Sequence, residues 1–213
     1  MFVRELLSGF LDLLAPRRCP GCDTWLEELS PFCEACRPLL EKLPSSPTEP
    51  FPVASVFQYG GPLADAIRKL KYQGRTDLTS SLAGLLMEGI DGYRGAIDAV
   101  IPVPLHPKRL RARGFNQSAL LANRVAKALD VRMVVNTLIR VKHTPPQVDL
   151  DLAARIENVK GAFFSRPSPL NRRVLIVDDV KTTGATLAEA AFAMQKSGAE
   201  KIYCLALAQS ALG

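Results

Sequence analysis

The chain is expected to fold as an α/β domain, a parallel sheet with flanking helices, preceded by a small four-cysteine ribbon. Two observations predict this. From Val53 onward, apolar runs of strand length alternate with stretches whose apolar residues recur every three or four positions, the pattern of strands joined by crossover helices. Ahead of that region, four of the five cysteines fall within 18 residues as two Cys-x-x-Cys pairs. A length of 213 residues fits one medium domain with a short appendage and excludes two large ones.

The elements follow in order. The opening MFVRELLSGFLDLLAPRRC carries Glu5 and Asp12 inside its apolar run and shows no small-residue cleavage site. It reads as an amphipathic helix in a cytoplasmic protein, and no stretch of 18 uncharged apolar residues offers a membrane span. Residues 1–42 form the helix and ribbon. LPSSPTEPFP, residues 43–52, has four prolines in ten positions and reads as a linker to the main domain, 53–213. There, 53–59 is strand-like, and LADAIRKLKY and DLTSSLAGLLMEGI read as helices. Ala99 to Pro104 is a β-branched run, and 116–129 is a helix with Asn116 as N-cap. The pattern continues with 133–141 extended, 174–177 a fully apolar strand, 187–196 a helix closed by Ser197-Gly198, and 202–208 a last buried strand. Ligands of such sheets bind at the C-terminal strand ends, which directs the search to the loops after 104, 141, 177 and 208.

Cys19-Pro-Gly-Cys22 and Cys33-Glu-Ala-Cys36 are separated by ten residues. Each pair can clamp one edge of a tetrahedral metal, so the four thiolates predict a structural zinc that folds a segment too small to hold itself together. Disulfides need an oxidising compartment, and a redox Cys-x-x-Cys would sit at a βα junction rather than occur twice in a short acidic segment.

The loop after 177 carries the chemistry. A buried strand, Val174 to Val177, meets two adjacent carboxylates, Asp178 and Asp179, then Val180-Lys181 and the hydroxyl-rich turn Thr182-Thr183-Gly184-Ala185-Thr186 opening a helix. Successive N–H groups at a helix start make an anion cradle. Carboxylates beside a phosphate must face something else, and sugar hydroxyls or a Mg²⁺ suit them. A ribose 5-phosphate meets both demands. No G-x-x-x-x-G-K-[ST] or G-x-G-x-x-G string is present, so the nucleotide-loop fingerprints are missing.

Charge is uneven. Residues 101–160 hold eleven Lys/Arg against four Asp/Glu, while 1–50 carry five against eight. Lys108, Arg109, Arg111 and Arg113 crowd behind the stiff Pro102-Val103-Pro104, as a polyphosphate or nucleic acid would require, although a solvated basic face has the same composition. Thr144-Pro145-Pro146-Gln147 breaks the regular pattern beside Arg140, Lys142 and His143, as a mobile cover would. His143 reads as a loop side chain rather than a general base, and His106 is open between the two.

VLIVDDVKTTGAT resembles the phosphoribosyl pyrophosphate (PRPP) motif of type I phosphoribosyltransferases. Three further strings narrow the match: KYQGR (71–75), IPVPLHPKRLRARGFNQS (101–118), and Thr144 through Gln147 with Arg155, Asn158 and Phe163. With the ribbon ahead of them, the chain resembles the ComF/GntX family of bacterial competence-type proteins from Cys19 to Ala208. The resemblance implies a type I phosphoribosyltransferase-like sheet, with Asp178 and Asp179 on the ribose hydroxyls. Val180, Lys181, Thr182, Thr183, Gly184, Ala185 and Thr186 would surround the 5-phosphate, and Val103, Pro104, Leu105 and His106 with Arg113 the pyrophosphate. It implies Mg²⁺ brought with PRPP, and a role in DNA uptake, with Lys108, Arg109, Arg111, Arg124, Arg140 and Lys142 or the ribbon meeting single-stranded DNA or a motor protein. Purine-salvage members place an acid where this chain has Thr182, so hypoxanthine-guanine salvage is not expected, and a chain opening MFVREL lacks the nucleophilic cysteine of glutamine-dependent members. Three roles remain open: PRPP binding in DNA uptake, phosphoribosyl transfer to an unidentified acceptor, or a scaffold with a vestigial site.

Overall fold

In the computed structural model, described residues are 18–26, 30–44, 51–144, 157–167 and 172–210. The expected N-terminal helix, most of the 43–52 linker, the Pro145–Gln147 string and Arg155 lie outside them. After the ribbon come β1 (Val53–Gln58), α1 (Gly61–Gln73), α2 (Thr79–Leu86), β2 (Ala99–Pro102), α3 (Pro107–Arg113), α4 (Gln117–Leu129), β3 (Arg132–Met133), β4 (Leu138–Arg140), β5 (Phe163–Ser165), β6 (Arg173–Lys181), α5 (Ala185–Lys196) and β7 (Lys201–Gln209).

Five strands form one parallel sheet in the order β1-β7-β6-β2-β3, while β4 and β5 pair antiparallel as a separate ribbon. β6 is central because both its faces are apolar. Leu175 and Val177 enter a core with α1, α2 and α4, whereas Val174 and Ile176 enter another with α5 and the β4–β5 ribbon. This is the period-2 alternation of a strand covered on both sides.

The topology locates the crevice. From adjacent strands, β2 leads through α4 outward to β3, and β6 leads through α5 the other way to β7, the two helices covering opposite faces. The C-terminal ends of β2 and β6 therefore diverge at a switch point, where open α/β sheets bind ligands. Local chemistry sets both exits. Asn116 caps α4 by accepting from the Ser118 N–H at 3.0 Å, and its amide donates to the Val103 carbonyl, tying the helix to the end of β2. Gly184, at φ +83°, turns the chain from β6 into α5 in a conformation that few side chains adopt.

Three expectations shift. The 133–141 run splits, because Val134 still bonds back to Val100 in the main sheet while Leu138–Arg140 leaves to pair with β5. The 77–90 helix is broken into α2 with a 3₁₀ turn at each end. The 174–177 strand runs on to Lys181, so the acidic pair belongs to the strand itself, hydrogen-bonded in register with β7.

Candidate functional site

Asp178 and Asp179 are 8% and 3% exposed. A buried carboxylate survives only with donors around it. Ser118, in the first turn of α4, donates its hydroxyl to Asp178 Oδ1 at 2.7 Å, and the Asp179 N–H donates to the same oxygen at 2.9 Å. The Val180 N–H donates to Asp179 Oδ1 at 2.9 Å, and Lys71 from α1 places its ammonium 2.6 Å from Asp179 Oδ2. Burial pushes Asp178 up to about 7, with the Asp179 charge adding to it and the Ser118 bond opposing. Burial alone would depress Lys71, but the Asp179 carboxylate outweighs it and holds the ammonium above its ordinary range.

Beyond the pair, Thr182, Thr183 and Gly184 form the turn and α5 opens at Ala185. Thr183 Oγ1 accepts from the Ala185 N–H at 3.2 Å. All residues from Val180 to Thr186 are half-buried. The first N–H groups of α5 point out of the helix start with its positive dipole end behind them. Lys181 donates to Gln209 at 3.2 Å, and burial lowers its pKa.

Across the crevice, the exit of β2 carries Val103, buried, and Pro104 and Leu105, half-buried. Three arginines gather behind it. Arg109 donates to the Thr144 carbonyl at 2.8 Å, Arg140 to the Thr144 hydroxyl at 2.6 Å, and Arg113 to Gln117 at 2.5 Å. Arg140 is 7% exposed and stacks on Phe163 at 5.3 Å. Burial lowers the pKa of both Arg109 and Arg140, with Arg113 repelling the first and Arg109 the second. Such crowding of cations is costly without an anion among them. His106 and His143 stack edge to face at 5.0 Å, His106 accepting from the Lys108 N–H as the cap of α3, and burial with the surrounding cations lowers its pKa.

The structure thus divides the six cations assigned to nucleic acid. Arg109 and Arg140 turn inward, while Lys108, Arg111, Arg124 and Lys142 are exposed, Arg124 donating to Ser80 and Lys142 to the Lys160 carbonyl. Sequence reasoning assigned no role to Lys71 or Ser118. KYQGR was legible as a string, but nothing local shows that a lysine more than a hundred residues away meets Asp179.

The ribbon is built as the spacing requires. The four sulfurs of Cys19, Cys22, Cys33 and Cys36 lie within 4.8 Å of one another, Cys22 and Cys33 at 3.5 Å. Zinc–thiolate bonds of about 2.3 Å give sulfur–sulfur edges of about 3.8 Å, so the set fits a zinc ion. Burial, and then the neighbouring thiols, push Cys36 up, while hydrogen bonding at Thr24 lowers the exposed Cys22 to about 6. Four thiolates at this spacing need a cation to coexist.

Residues 116–211 match the phosphoribosyl transferase domain family. Competence protein F of Haemophilus influenzae is 33% identical over 199 residues, 90% of this chain and 85% of that one. The chain belongs to the ComF/GntX family. Within that family, the DNA utilization protein YhgH of Salmonella typhimurium is 34% identical over 194 residues, 88% of this chain and 82% of its own length. A solved orotate phosphoribosyltransferase from Aeropyrum pernix aligns at 20% identity over 64% of this chain and 62% of its own, with a TM-score of 0.41. The match to the transferase family begins at Asn116, so Lys71, the β2 exit and the ribbon lie outside the matched residues of this ComF/GntX chain. Among the described residues, no helix is long and apolar enough to cross a membrane.

Purified without chelator, the protein is expected to carry one zinc per chain by elemental analysis, and Cys33→Ser to lose the metal and destabilise the ribbon. Less than half an equivalent in the wild type would exclude the site. A second expectation concerns Asp178. Its folded pKa, near 7, lies above that of the unfolded chain, so the folded state holds the extra proton and stability falls as pH rises from about 4 to about 7. Asp178→Asn is expected to flatten that decline between pH 5 and 7.5 in urea titrations; an unchanged slope would show that the carboxyl ionises freely.

Proposed function

We propose that this ComF/GntX protein binds PRPP together with Mg²⁺ in the crevice between the ends of β2 and β6. The observation that carries the reading is the buried acidic pair at the head of an N–H cradle, faced by inward-turned arginines. In it, Asp178 and Asp179 hold the ribose hydroxyls, residues 180–186 the 5-phosphate, and Arg109, Arg113 and Arg140 with the 103–106 loop the pyrophosphate. Mg²⁺ would offset the polyphosphate charge beside the carboxylates. Ser118 and Lys71 keep the pair oriented and compensated.

The names of the relatives, competence protein F and DNA utilization protein YhgH, support a role in handling incoming DNA. The exposed Lys108, Arg111, Arg124 and Lys142 supply phosphate contacts for single-stranded DNA, with little sequence preference because aromatic neighbours are few. Phosphoribosyl transfer is the second reading, favoured by the cations gathered where the leaving group would sit. It would break the anomeric C–O bond to pyrophosphate and form one to an acceptor, and Thr182 in place of an acid removes one contact that a purine acceptor would use.

Calorimetry with PRPP and Mg²⁺ tests the site. Asp179→Ala and Gly184→Val are each expected to weaken binding at least tenfold with the circular dichroism preserved. The valine acts mainly through the backbone, since Gly184 has φ +83° while an added Cβ would meet only the Lys181 Cε, at 3.4 Å. Wild-type affinity in both variants would refute the site.

Single-stranded DNA titrated at two salt concentrations tests the surface. Affinity is expected to fall steeply with salt, about 0.7 counterion being released per phosphate neutralised. Lys108→Glu with Arg111→Glu should cost at least tenfold in DNA binding, about 1.4 kcal/mol, and spare PRPP. Arg109→Glu should do the reverse. If both changes act on PRPP alone, the basic cluster serves the pyrophosphate and the transferase reading gains.

A further inference from the structure

α1 is held from two opposite sides, and the two grips lie two residues apart. On one side Lys69, with a side chain only 15% exposed, donates to the carbonyls of Pro20 and Gly21, each at 3.1 Å, and pairs with Asp23 at 2.5 Å. These are the turn residues of the first Cys-x-x-Cys. Gly21 also lies against the start of the helix, since a Cβ there would fall 2.6 Å from the Pro62 Cβ. On the other side Lys71 places its ammonium 2.6 Å from Asp179. Residues two apart on an α-helix point about 200° from each other, so the helix lies between the knuckle and the acidic pair.

We propose that α1 is a strut by which the metal knuckle of the ribbon positions Lys71, and through it the acidic pair, making Lys69 a positioning residue for a site it does not touch. Two features support a rigid link rather than two unrelated contacts. Cys19, Phe32 and Cys36 enter the same core as Leu63, Ile67 and Leu70 of α1, so the knuckle and the helix are packed as one layer. Lys71 and Asp179 are both withdrawn from water, at 19% and 4% exposure, so that pair is little screened, and Lys69, at 15%, is held by two backbone carbonyls as well as by the more exposed Asp23.

The consequence is that order in the ribbon is felt at the crevice. A knuckle that loses its turn geometry releases Lys69, lets α1 shift or rotate, and moves the Lys71 ammonium relative to Asp179 Oδ2. The Asp179 and Val180 amides, which donate to the two carboxylates, report that movement directly.

The test is a double-mutant cycle on the zinc-loaded full chain, read by amide NMR spectra and by calorimetry with PRPP and Mg²⁺. Lys69→Met should keep the wild-type zinc content, shift the Asp179 and Val180 amide resonances, and weaken PRPP binding about fivefold, the lower end of ordinary coupling between sites. In a Lys71→Met background the same change should do neither. Asp23→Asn, which removes only the charge at the exposed end of the grip, should move the same resonances less and serves if Lys69→Met folds poorly. Unmoved amides in Lys69→Met, or shifts that persist unchanged with Lys71→Met, would overturn the strut. The calorimetric arm rests on the PRPP reading, but the amide arm needs no ligand. A protein that fails to bind PRPP yet shows the cycle in its amides sinks that reading and leaves the strut standing.

Discussion

Two adjacent carboxylates buried at the end of the central strand are the feature around which the molecule is arranged. Asp178 and Asp179 cannot both be charged and dry without help. The help arrives from three separate parts of the chain: a hydroxyl from the first turn of α4, backbone N–H groups of β6 itself, and an ammonium from α1. Remove those donors and the pair would protonate or expose itself. With them in place, the strand end is a fixed, hydrogen-bonded carboxylate pair beside a helix start that attracts anions, and that juxtaposition is what supports the proposed ligand, which carries both hydroxyls and phosphate.

The same economy of charge runs through the opposite wall. Arg109 and Arg140 both spend donors on Thr144, a neutral residue, rather than on a carboxylate. Arg140 is buried with no carboxylate within bonding reach among the described residues and feels Asp178 only at a distance, so it costs stability in the resting protein. That cost has a use if an anion is to enter, because the attraction is already desolvated and oriented. The exposed cations at Lys108 and Arg111 stand on the outer side of the same short helix, so one seven-residue segment serves both the pocket and the surface.

The ribbon solves a different problem. A segment of about two dozen residues has too little apolar surface to fold alone, and four sulfurs placed to hold one ion would stand in for the missing core. Its apolar remainder, Cys19, Phe32 and Cys36, is completed by α1 and α2 rather than by the ribbon itself. Ribbon and sheet therefore share a core, and the contact falls on the helix that also supplies Lys71.

What the amino-acid sequence determined by itself was whatever depends on neighbours in the chain. The paired cysteines, the threonine-glycine turn and the Asn116 cap are all local, and each is found where its spacing placed it, as is the strand at 174–177, which runs on through Asp178-Asp179. What only the tertiary structure decided was long-range. The run from 133 to 141 looked continuous, yet splits between two sheets because β5 supplies a partner from more than twenty residues downstream. Arg140 and Lys108 looked alike as basic residues, yet one is buried on Phe163 and the other is solvated. Lys71 and Ser118 were unremarkable in sequence and became part of the site only when α1 and α4 packed on the same face of β6. Propensity and spacing act over a few residues, whereas the desolvation that gives a carboxylate or an ammonium its chemistry is a property of everything folded around it.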